Sequence, residues 1–244
     1  MRSIGRWLLW LAFAGLALQA AFVGRIALMA VLDPQSTAFQ RSEAWRQLTT
    51  GDVHWRQQWV GYEQISPNLK RAVIASEDGS FIEHDGVDWD ALESAWEKNE
   101  KRIQQAERQA ARAKDPSKVK PPKVVGGSTI TQQLAKNLLL SGERHLLRKG
   151  QELVLTLALE NCLSKRRILE IYLNSVEWGD GVFGAEAAAQ RYFGKSARHL
   201  SAYEAARLAV MLPAPKRYEK RPNSGYLSAR AGTIVARMPN AVLP

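Results

Sequence analysis

"RKGQELVLTLALENCLSKRRILEIYLNSV", residues 148–176, is the segment that decides the fold class. Its first half is apolar nearly all round, which predicts a buried helix. Helix signals continue upstream: Ser66 precedes a proline at one helix entry, and Asp88 or Asp90 begins another helix in "DWDALESAW". Strand-like alternation is visible only around residues 55–62. The sequence therefore predicts an all-α or strongly α-dominated fold.

The N-terminus carries an apolar segment, "WLLWLAFAGLALQAAFVG", at residues 7–24. Its length fits a membrane-crossing helix, whereas a cleaved signal peptide would have a shorter apolar core and a clear cleavage site. Arg2 and Arg6 precede the segment, which favours a cytoplasmic N-terminus and an exported body. We expect residues 1–33 to form the cytoplasmic stub and membrane anchor, and residues 34–244 to form one domain.

The net charge of +10 indicates an anionic partner, which could be nucleic acid, acidic lipid headgroups or a phosphorylated substrate. Residues 98–123 carry nine basic and three acidic side chains, so this segment supplies 9 − 3 = +6 of that charge. Its first half could extend a helix, but its second half contains three prolines and could not. A solvated insertion or linker is the first interpretation. Cys162 is the only cysteine, which excludes an intrachain disulfide and a cysteine-rich zinc site.

An acidic stretch bracketed by glycines, "SEDGSFIEHDG", occupies residues 76–86 of this basic chain. Glu77 and Asp78 begin it, and Phe81 and His84 follow. Taken alone, a solvated turn is the default interpretation, because loop segments are usually polar surface. A functional cluster is the alternative, and the rest of the chain has to decide between them.

A second motif, "VVGGSTITQQLAKNLLL", contains a glycine pair followed by a helix start. Thr129 and Gln132 have the spacing of a capping box, and the glycines permit a close backbone approach. Thr129, Gln133 and Lys136 share one face of the predicted helix. An ordinary amphipathic helix explains the pattern, but adjacent glutamines before a lysine are unusual for a purely solvated face. The spacing of a phosphate-binding P-loop is absent.

A basic cluster follows in "SGERHLLRKGQE", which ends in Glu152. Arginine and lysine bind diphosphates well, so the cluster could hold one, although a solvated helix start is equally compatible. Its basic residues are Arg144, His145, Arg148 and Lys149. "DWD" has the form of the D-x-D metal motif of nucleotide-sugar transferases, but no alternation of strands and helices surrounds it. "SKVK" has the form of the S-x-x-K motif of penicillin-binding acylases, but it lies in the charged insertion. The four histidines are too scattered to indicate a zinc site.

Five motifs occur in a fixed order: "EDGSFIEHDGVD", "GGSTITQQLAKN", "RKGQE", "RRILEIYLNSVEWGDGVFGAEAAAQRYFGK" and "LSAYEAARLAVMLPAP". Together they resemble the peptidoglycan glycosyltransferases, the family shared by class A penicillin-binding proteins and the monofunctional biosynthetic transglycosylases. The resemblance covers roughly residues 50–240. No transpeptidase domain follows, so the monofunctional type is expected. The insertion at residues 98–123 is longer than expected for the family.

The resemblance implies a mostly α, lysozyme-like domain that polymerises glycan strands. Glu77 matches the family's general base, which deprotonates the 4-hydroxyl of the acceptor N-acetylglucosamine. That oxygen attacks the anomeric carbon of the growing chain, undecaprenyl diphosphate leaves, and the configuration inverts. Glu152 matches a second glutamate, expected to act on the leaving-group side or to position the basic residues.

Other family positions are also matched. Residues that hold the base and its loop correspond to Asp78, Phe81 and His84. Residues that line the cleft correspond to Thr129, Gln133 and Asn137. Residues near the diphosphate correspond to Lys136, Arg148 and Lys149.

The expected partners are lipid II, the growing lipid-linked glycan strand and the membrane, with the division or elongation machinery as further candidates and no nucleic acid. The expected location is the bacterial cytoplasmic (inner) membrane, single-pass, with the N-terminus inside and the catalytic domain on the periplasmic side. Some family members respond to Mg²⁺ or Mn²⁺, but the sequence shows no metal-ligand cluster, so a metal requirement stays open.

Two other functions compete with this interpretation. A lysozyme-like glycan hydrolase would share the fold and a catalytic glutamate, but it gives no reason for the basic trio or the anchor. A non-catalytic basic module on a membrane would explain the charge of +10, but not the spacing of glutamates and glutamines.

Overall fold

The computed structural model describes residues 2–113, 115, 119, 121–122, 124, 126–140 and 146–244, without the side chains of Arg2 and Leu146. Helices dominate this part of the chain, as predicted. They are α1 Arg2–Leu28, α2 Ala38–Thr50, α3 Pro67–Glu77, α4 Trp89–Arg112, α5 Ile130–Leu139, α6 Leu146–Cys162, α7 Lys165–Ser175, α8 Ala185–Phe193, α9 Ala202–Met211, α10 Pro215–Tyr218 and α11 Gly225–Arg237. Single 3₁₀ turns occur at Tyr62–Gln64, Ala197–His199 and Met238–Asn240.

Side-chain caps set the helix starts that matter for the site. Ser66 caps α3 by accepting from the Asn68 amide, and Asp88, rather than Asp90, caps α4. At the start of α5 the predicted capping box forms in both directions between Thr129 and Gln132. These contacts satisfy amide groups that a helix leaves without partners at its first turn.

The segment at residues 148–176 is not one buried helix. It divides where Ser164 caps α7, and α6 ends two residues earlier. The predicted burial of the first half is wrong: α6 buries Leu155 and Leu159, but Val154 and Leu157 are exposed. Hydrophobic periodicity reports how apolar a helix is, but not what covers it. Here α1 and α5 cover two sides of α6 and leave an apolar side open.

A small sheet with the order β1-β3-β2 packs beside the helices, formed by β1 Arg56–Gln57, β2 Glu177–Gly179 and β3 Val182–Phe183. The alternation around residues 55–62 yields only the two residues of β1, which run parallel to β3. The β2–β3 hairpin was not predicted. Its turn needs Gly181, which has φ +69°, because a Cβ there would lie 1.5 Å from the His54 carbonyl oxygen.

Two groups of helices form the core. On one side α3 packs against α9 and α11, and on the other α5 packs against α6 and α7. Trp178 and Tyr172 are fully buried among them. The C-terminal end of α3 and the start of α5 therefore meet at the junction of the two groups.

The N-terminal helix is long and apolar enough to cross a membrane over Ser3–Leu28, and most of its side chains are exposed, whereas Ile26 near its end is buried against the domain. It contacts α6 through paired amides: Gln19 donates to Gln151 at 2.7 Å and accepts from it at 3.0 Å. Arg167 fixes the segment that follows, donating to the Met29 carbonyl at 2.7 Å. The N-terminal helix and the domain are thus joined by specific contacts.

The first half of the basic insertion is helical, because α4 continues to Arg112. The side chains of this helical half are mostly exposed, and the close approach of α4 to the glycine pair lies before the insertion. A Cβ at Gly127 would lie 3.2 Å from the Cα of Leu92. Most of the proline-containing second half falls outside the described residues, as do Arg144 and His145.

Candidate active site

Glu77 is the last residue of α3, and its carboxylate opens onto two cavities. It accepts hydrogen bonds from Gln133 Nε2 at 3.1 Å and from the Ser76 hydroxyl at 3.2 Å. Tyr172 donates to Gln133 Oε1 at 2.9 Å, which turns the amide group of Gln133 toward Glu77. Burial raises the pKa of Glu77, and these hydrogen bonds oppose that rise. The site therefore contains an oriented carboxylate with increased basicity.

Asp78 joins the loop after α3 to the start of α5. Its Oδ2 accepts from the Ile130 amide at 2.9 Å, and its Oδ1 lies 2.9 Å from His84 Nε2. The Gly86 amide donates to His84 Nδ1 at 3.1 Å, so Nε2 carries the proton and donates to Asp78. Asp78 and His84 thus hold the loop rather than face a reacting atom.

Two further contacts fix the same loop. Thr129 donates its hydroxyl to the Gly86 carbonyl at 2.6 Å. Phe81 is fully buried, with the Lys165 ammonium 4.7 Å from its ring centroid. The loop that follows Glu77 is consequently attached to α5 and α7, which keeps the end of α3 in one position.

The predicted basic residues meet a buried glutamate. Arg148 donates to Glu152 Oε2 at 3.2 Å, and Lys149 contacts Glu152 Oε1. Glu152 is 4 % exposed and stands between the two cations on α6. Lys149 is half exposed, whereas Arg148 is mostly buried. The position of Glu152 is better suited to orienting the cations Arg148 and Lys149 than to direct contact with a leaving group.

The cavities connect Glu77 with the cations. A cavity of about 610 Å³ is lined by Glu77, Gln133 and Lys136. A neighbouring cavity of about 480 Å³ shares Gln133 and Lys136 and adds Asn137 and Arg148. A third, of about 560 Å³, lies on the other side of Glu77 and includes Asp78 and Thr129 among its lining residues. A cleft therefore runs from Arg148 past Lys136 to the carboxylate.

The sequence patterns did not identify several residues that line the cleft. Arg102 of α4 and Arg230 of α11 line the 610 Å³ cavity, and Lys98 and Arg237 line the 560 Å³ cavity. No local motif marks α11, and the α4 residues were assigned to a solvated insertion. The α11 cations reach the cleft because α11 packs against α3, and Lys98 and Arg102 line it from α4.

Glu177 was also missed, and it lies in a charged cluster at the edge of the 480 Å³ cavity. Burial raises the pKa of Glu177 to about 7, an effect that Lys216 opposes and Glu43 reinforces. The ammonium of Lys216 lies 3.1 Å from Asp180, 3.4 Å from Glu177 and 2.5 Å from Glu43. This lysine connects α10 with α2 and β2.

Two groups of potential metal ligands occur among the described residues: Asp78, His84 and Asp88, and Glu43, Glu177 and Asp180. Sequence spacing had shown neither of them. In the first group, His84 Nε2 bonds to Asp78 Oδ1, and His84 Nδ1 accepts from the Gly86 amide. Lys216 already places a cation within the second group. Neither arrangement is that of an open divalent-metal site.

Comparison with known proteins identifies the family. The model of the transglycosylase family matches residues 44–239. A biosynthetic peptidoglycan transglycosylase of Paraburkholderia phytofirmans is 49 % identical, across 98 % of this chain and 94 % of the relative. Relatives of the same name are 51 % identical in Burkholderia thailandensis (100 % and 90 % covered) and 52 % identical in Bordetella pertussis (87 % and 82 %). The predicted resemblance and the lysozyme-like helical fold are confirmed. The chain belongs to the transglycosylase family.

Proposed function

We propose that the protein polymerises peptidoglycan glycan strands from lipid II. It transfers the lipid-linked glycan chain to the 4-hydroxyl of the N-acetylglucosamine of lipid II and releases undecaprenyl diphosphate. One observation carries the proposal: Glu77 opens onto the same cavity as Lys136, so a base and a cation face one substrate space. The names of the relatives support the same reaction.

Glu77 acts as the general base in this reaction. It takes the proton of the acceptor 4-hydroxyl while that oxygen forms a bond to the anomeric carbon of the donor. The bond between the anomeric carbon and the diphosphate oxygen breaks, and the α-linkage becomes a β-1,4 linkage. Gln133, oriented by Tyr172, holds the carboxylate in the position from which it takes the proton.

Lys136 and Arg148 bind the diphosphate of the donor and stabilise the charge that develops as it leaves. Both side chains line the 480 Å³ cavity, next to the space that contains Glu77. Glu152 orients Arg148 and Lys149, because its buried carboxylate pairs with both side chains and restricts their rotamers. Asn137 completes this part of the cleft.

A hydrolase is less well supported by the same geometry. Glycosidases require two carboxyl groups at the scissile bond. Besides Glu77, the described lining of its two cavities offers Asp78 and Asp88. Asp78 is occupied by Ile130 and His84. Asp88 accepts hydrogen bonds from the Ser80 hydroxyl and, at 2.7 Å, from the Ala91 amide, so its oxygens are likewise occupied at the start of α4.

We also propose that the protein is a single-pass protein of the inner membrane, with residues 34–244 on the periplasmic side. Support comes from α1 and from the open side of α6, where Leu147 is 84 % exposed and Val154 and Leu157 are uncovered. Apolar side chains in this arrangement suit the boundary between lipid and headgroups. Contact with division or elongation proteins stays a prediction.

The amphipathic helix α4 adds a second membrane contact in this proposal. Trp89, Trp96 and Ile103 repeat every seven residues along one face, and the two tryptophans are 66 % and 69 % exposed. Trp89 shares a surface cavity with Leu157 of α6, so the two apolar areas are continuous. Exposed basic residues further along α4 can hold anionic headgroups.

The test of the proposed reaction uses the purified full chain in detergent with two substrates, lipid II and finished glycan strands. Lipid II should be converted into polymer with release of undecaprenyl diphosphate, and finished strands should remain intact. Cleavage of the strands without polymer formation would show a hydrolase instead. Absence of both activities, with normal binding to lipid vesicles, would show a non-catalytic membrane module.

A further inference from the structure

Two tyrosines form a stacked pair in the 610 Å³ cavity that also contains Glu77. Tyr218 ends α10 and Tyr226 lies in the first turn of α11. Their ring centroids are 5.9 Å apart, and their planes differ by 14°. Tyr226 is 54 % exposed, whereas Tyr218 is partly buried against the hydrophobic core. The chemistry derived above uses neither ring.

The charges of this cavity indicate the kind of molecule that would occupy it. Among its described lining residues, Arg102, Lys136 and Arg230 are cationic, and Glu77 is the single acid. Arg230 is close enough to Glu77 for its charge to lower the pKa of that carboxyl, against the larger effect of burial. The cavity therefore suits a ligand with anionic groups that places a reacting atom beside the carboxylate.

The aromatic pair adds a preference for a ring. One face of a hexosamine carries several C–H groups, and aromatic faces bind such amphipathic ligands while polar groups at the rim bind their hydroxyls. Burial, and a hydrogen bond between the two tyrosines, raise the pKa of Tyr218. Its hydroxyl is thus neutral in the physiological range.

We infer that Tyr218 and Tyr226 form the binding platform for the acceptor saccharide, holding the terminal hexosamine ring so that its 4-hydroxyl meets Glu77. The donor diphosphate then occupies the neighbouring cavity at Arg148, on the other side of Lys136. This inference rests on the proposed polymerase function and assigns the two cavities to its two substrates. Tyr226 is a binding residue in this scheme, and Tyr218 supports its ring.

The test separates acceptor binding from catalysis. A lipid-linked tetrasaccharide donor is held at saturation, and lipid II is varied as the acceptor. Tyr226→Ala should raise the KM for lipid II about tenfold, the loss expected for one aromatic stacking contact with its buried area, and should leave kcat within about twofold. Tyr226→Phe should retain a KM close to the wild-type value, because the stacking face remains. Tyr203→Ala removes a similarly exposed tyrosine on α9 and serves as the matched control.

Equilibrium binding gives a second, independent readout. In a Glu77→Gln background, with the donor cavity filled by moenomycin, an inhibitor that binds the donor site in this family, Tyr226→Ala should weaken lipid II binding by a similar factor, while moenomycin affinity stays unchanged. An unchanged KM and unchanged lipid II binding in Tyr226→Ala would overturn the inference. Equal losses in Tyr226→Phe and Tyr226→Ala would also overturn it. If the wild-type protein forms no polymer, the proposed function fails first, and that outcome is distinct from both.

Discussion

Tyr172 provides a sharp test of how the base is controlled, because it never touches substrate in this account. Its hydroxyl donates to Gln133 Oε1 at 2.9 Å, and Gln133 Nε2 donates to Glu77 at 3.1 Å. Tyr172→Phe removes the contact that fixes which end of the amide faces the carboxylate. If the amide turns, Glu77 faces an oxygen and loses a charge-assisted hydrogen bond. Such a bond contributes roughly 1.5–3 kcal/mol.

The sign of the effect follows from the ionised form. The hydrogen bond from Gln133 favours the carboxylate, so its loss raises the pKa of Glu77 further. A base works only when deprotonated, so the acid limb of the pH–rate profile moves to higher pH. With about 1.5 kcal/mol lost, the rate on that limb falls roughly tenfold, and it recovers at higher pH.

The assay is the pH dependence of lipid II polymerisation by Tyr172→Phe, Gln133→Leu and the double variant. Because both residues act through one contact, the double variant should be no worse than Gln133→Leu alone. Tyr192→Phe is the matched control, since its hydroxyl donates to the Trp178 carbonyl at 2.7 Å, away from the cleft. A Tyr172→Phe profile that superimposes on that of the wild type would refute the orienting role.

Three further predictions concern charge. Lys136→Ala or Arg148→Ala should lower kcat/KM about 10- to 100-fold in lipid II assays, with a larger loss in the double variant; normal activity in detergent would refute the diphosphate assignment. Replacing Arg108 and Arg112 by glutamine should weaken cosedimentation with anionic liposomes at low salt but not at high salt; equal binding at low salt would leave α4 without a lipid role. The folded protein holds the proton of Glu177 more tightly than the unfolded chain, so stability falls as pH rises from about 4.5 to about 7. Glu177→Gln should therefore raise Tm relative to the wild type at pH 8 but not at pH 4, and parallel melting curves would contradict this.

Local signals predicted the helix starts well. Ser66 and the pair Thr129–Gln132 cap their helices as expected, because a capping hydrogen bond spans only a few residues. The open side of α6 could not be predicted in the same way. An apolar side chain such as Val154 has the same sequence pattern whether protein or lipid covers it.

The site was predictable only in part. The motifs gave Glu77, Gln133 and Lys136, which the structure brings to one cavity. Arg230 and Tyr226 reach the same cavity from α11, more than 90 residues away from Gln133, and no short-range pattern encodes that approach. Their position depends on how α11 packs against α3 and α9.

The most direct test of the central claim is lipid II polymerisation by Glu77→Gln, which keeps the shape of the side chain and removes the base. The rate should fall by roughly two to four orders of magnitude, while moenomycin binding stays unchanged. Glu83→Gln, an exposed position in the same loop, should remain as active as the wild type. Near-normal polymerisation by Glu77→Gln would contradict the assignment of Glu77 as the general base.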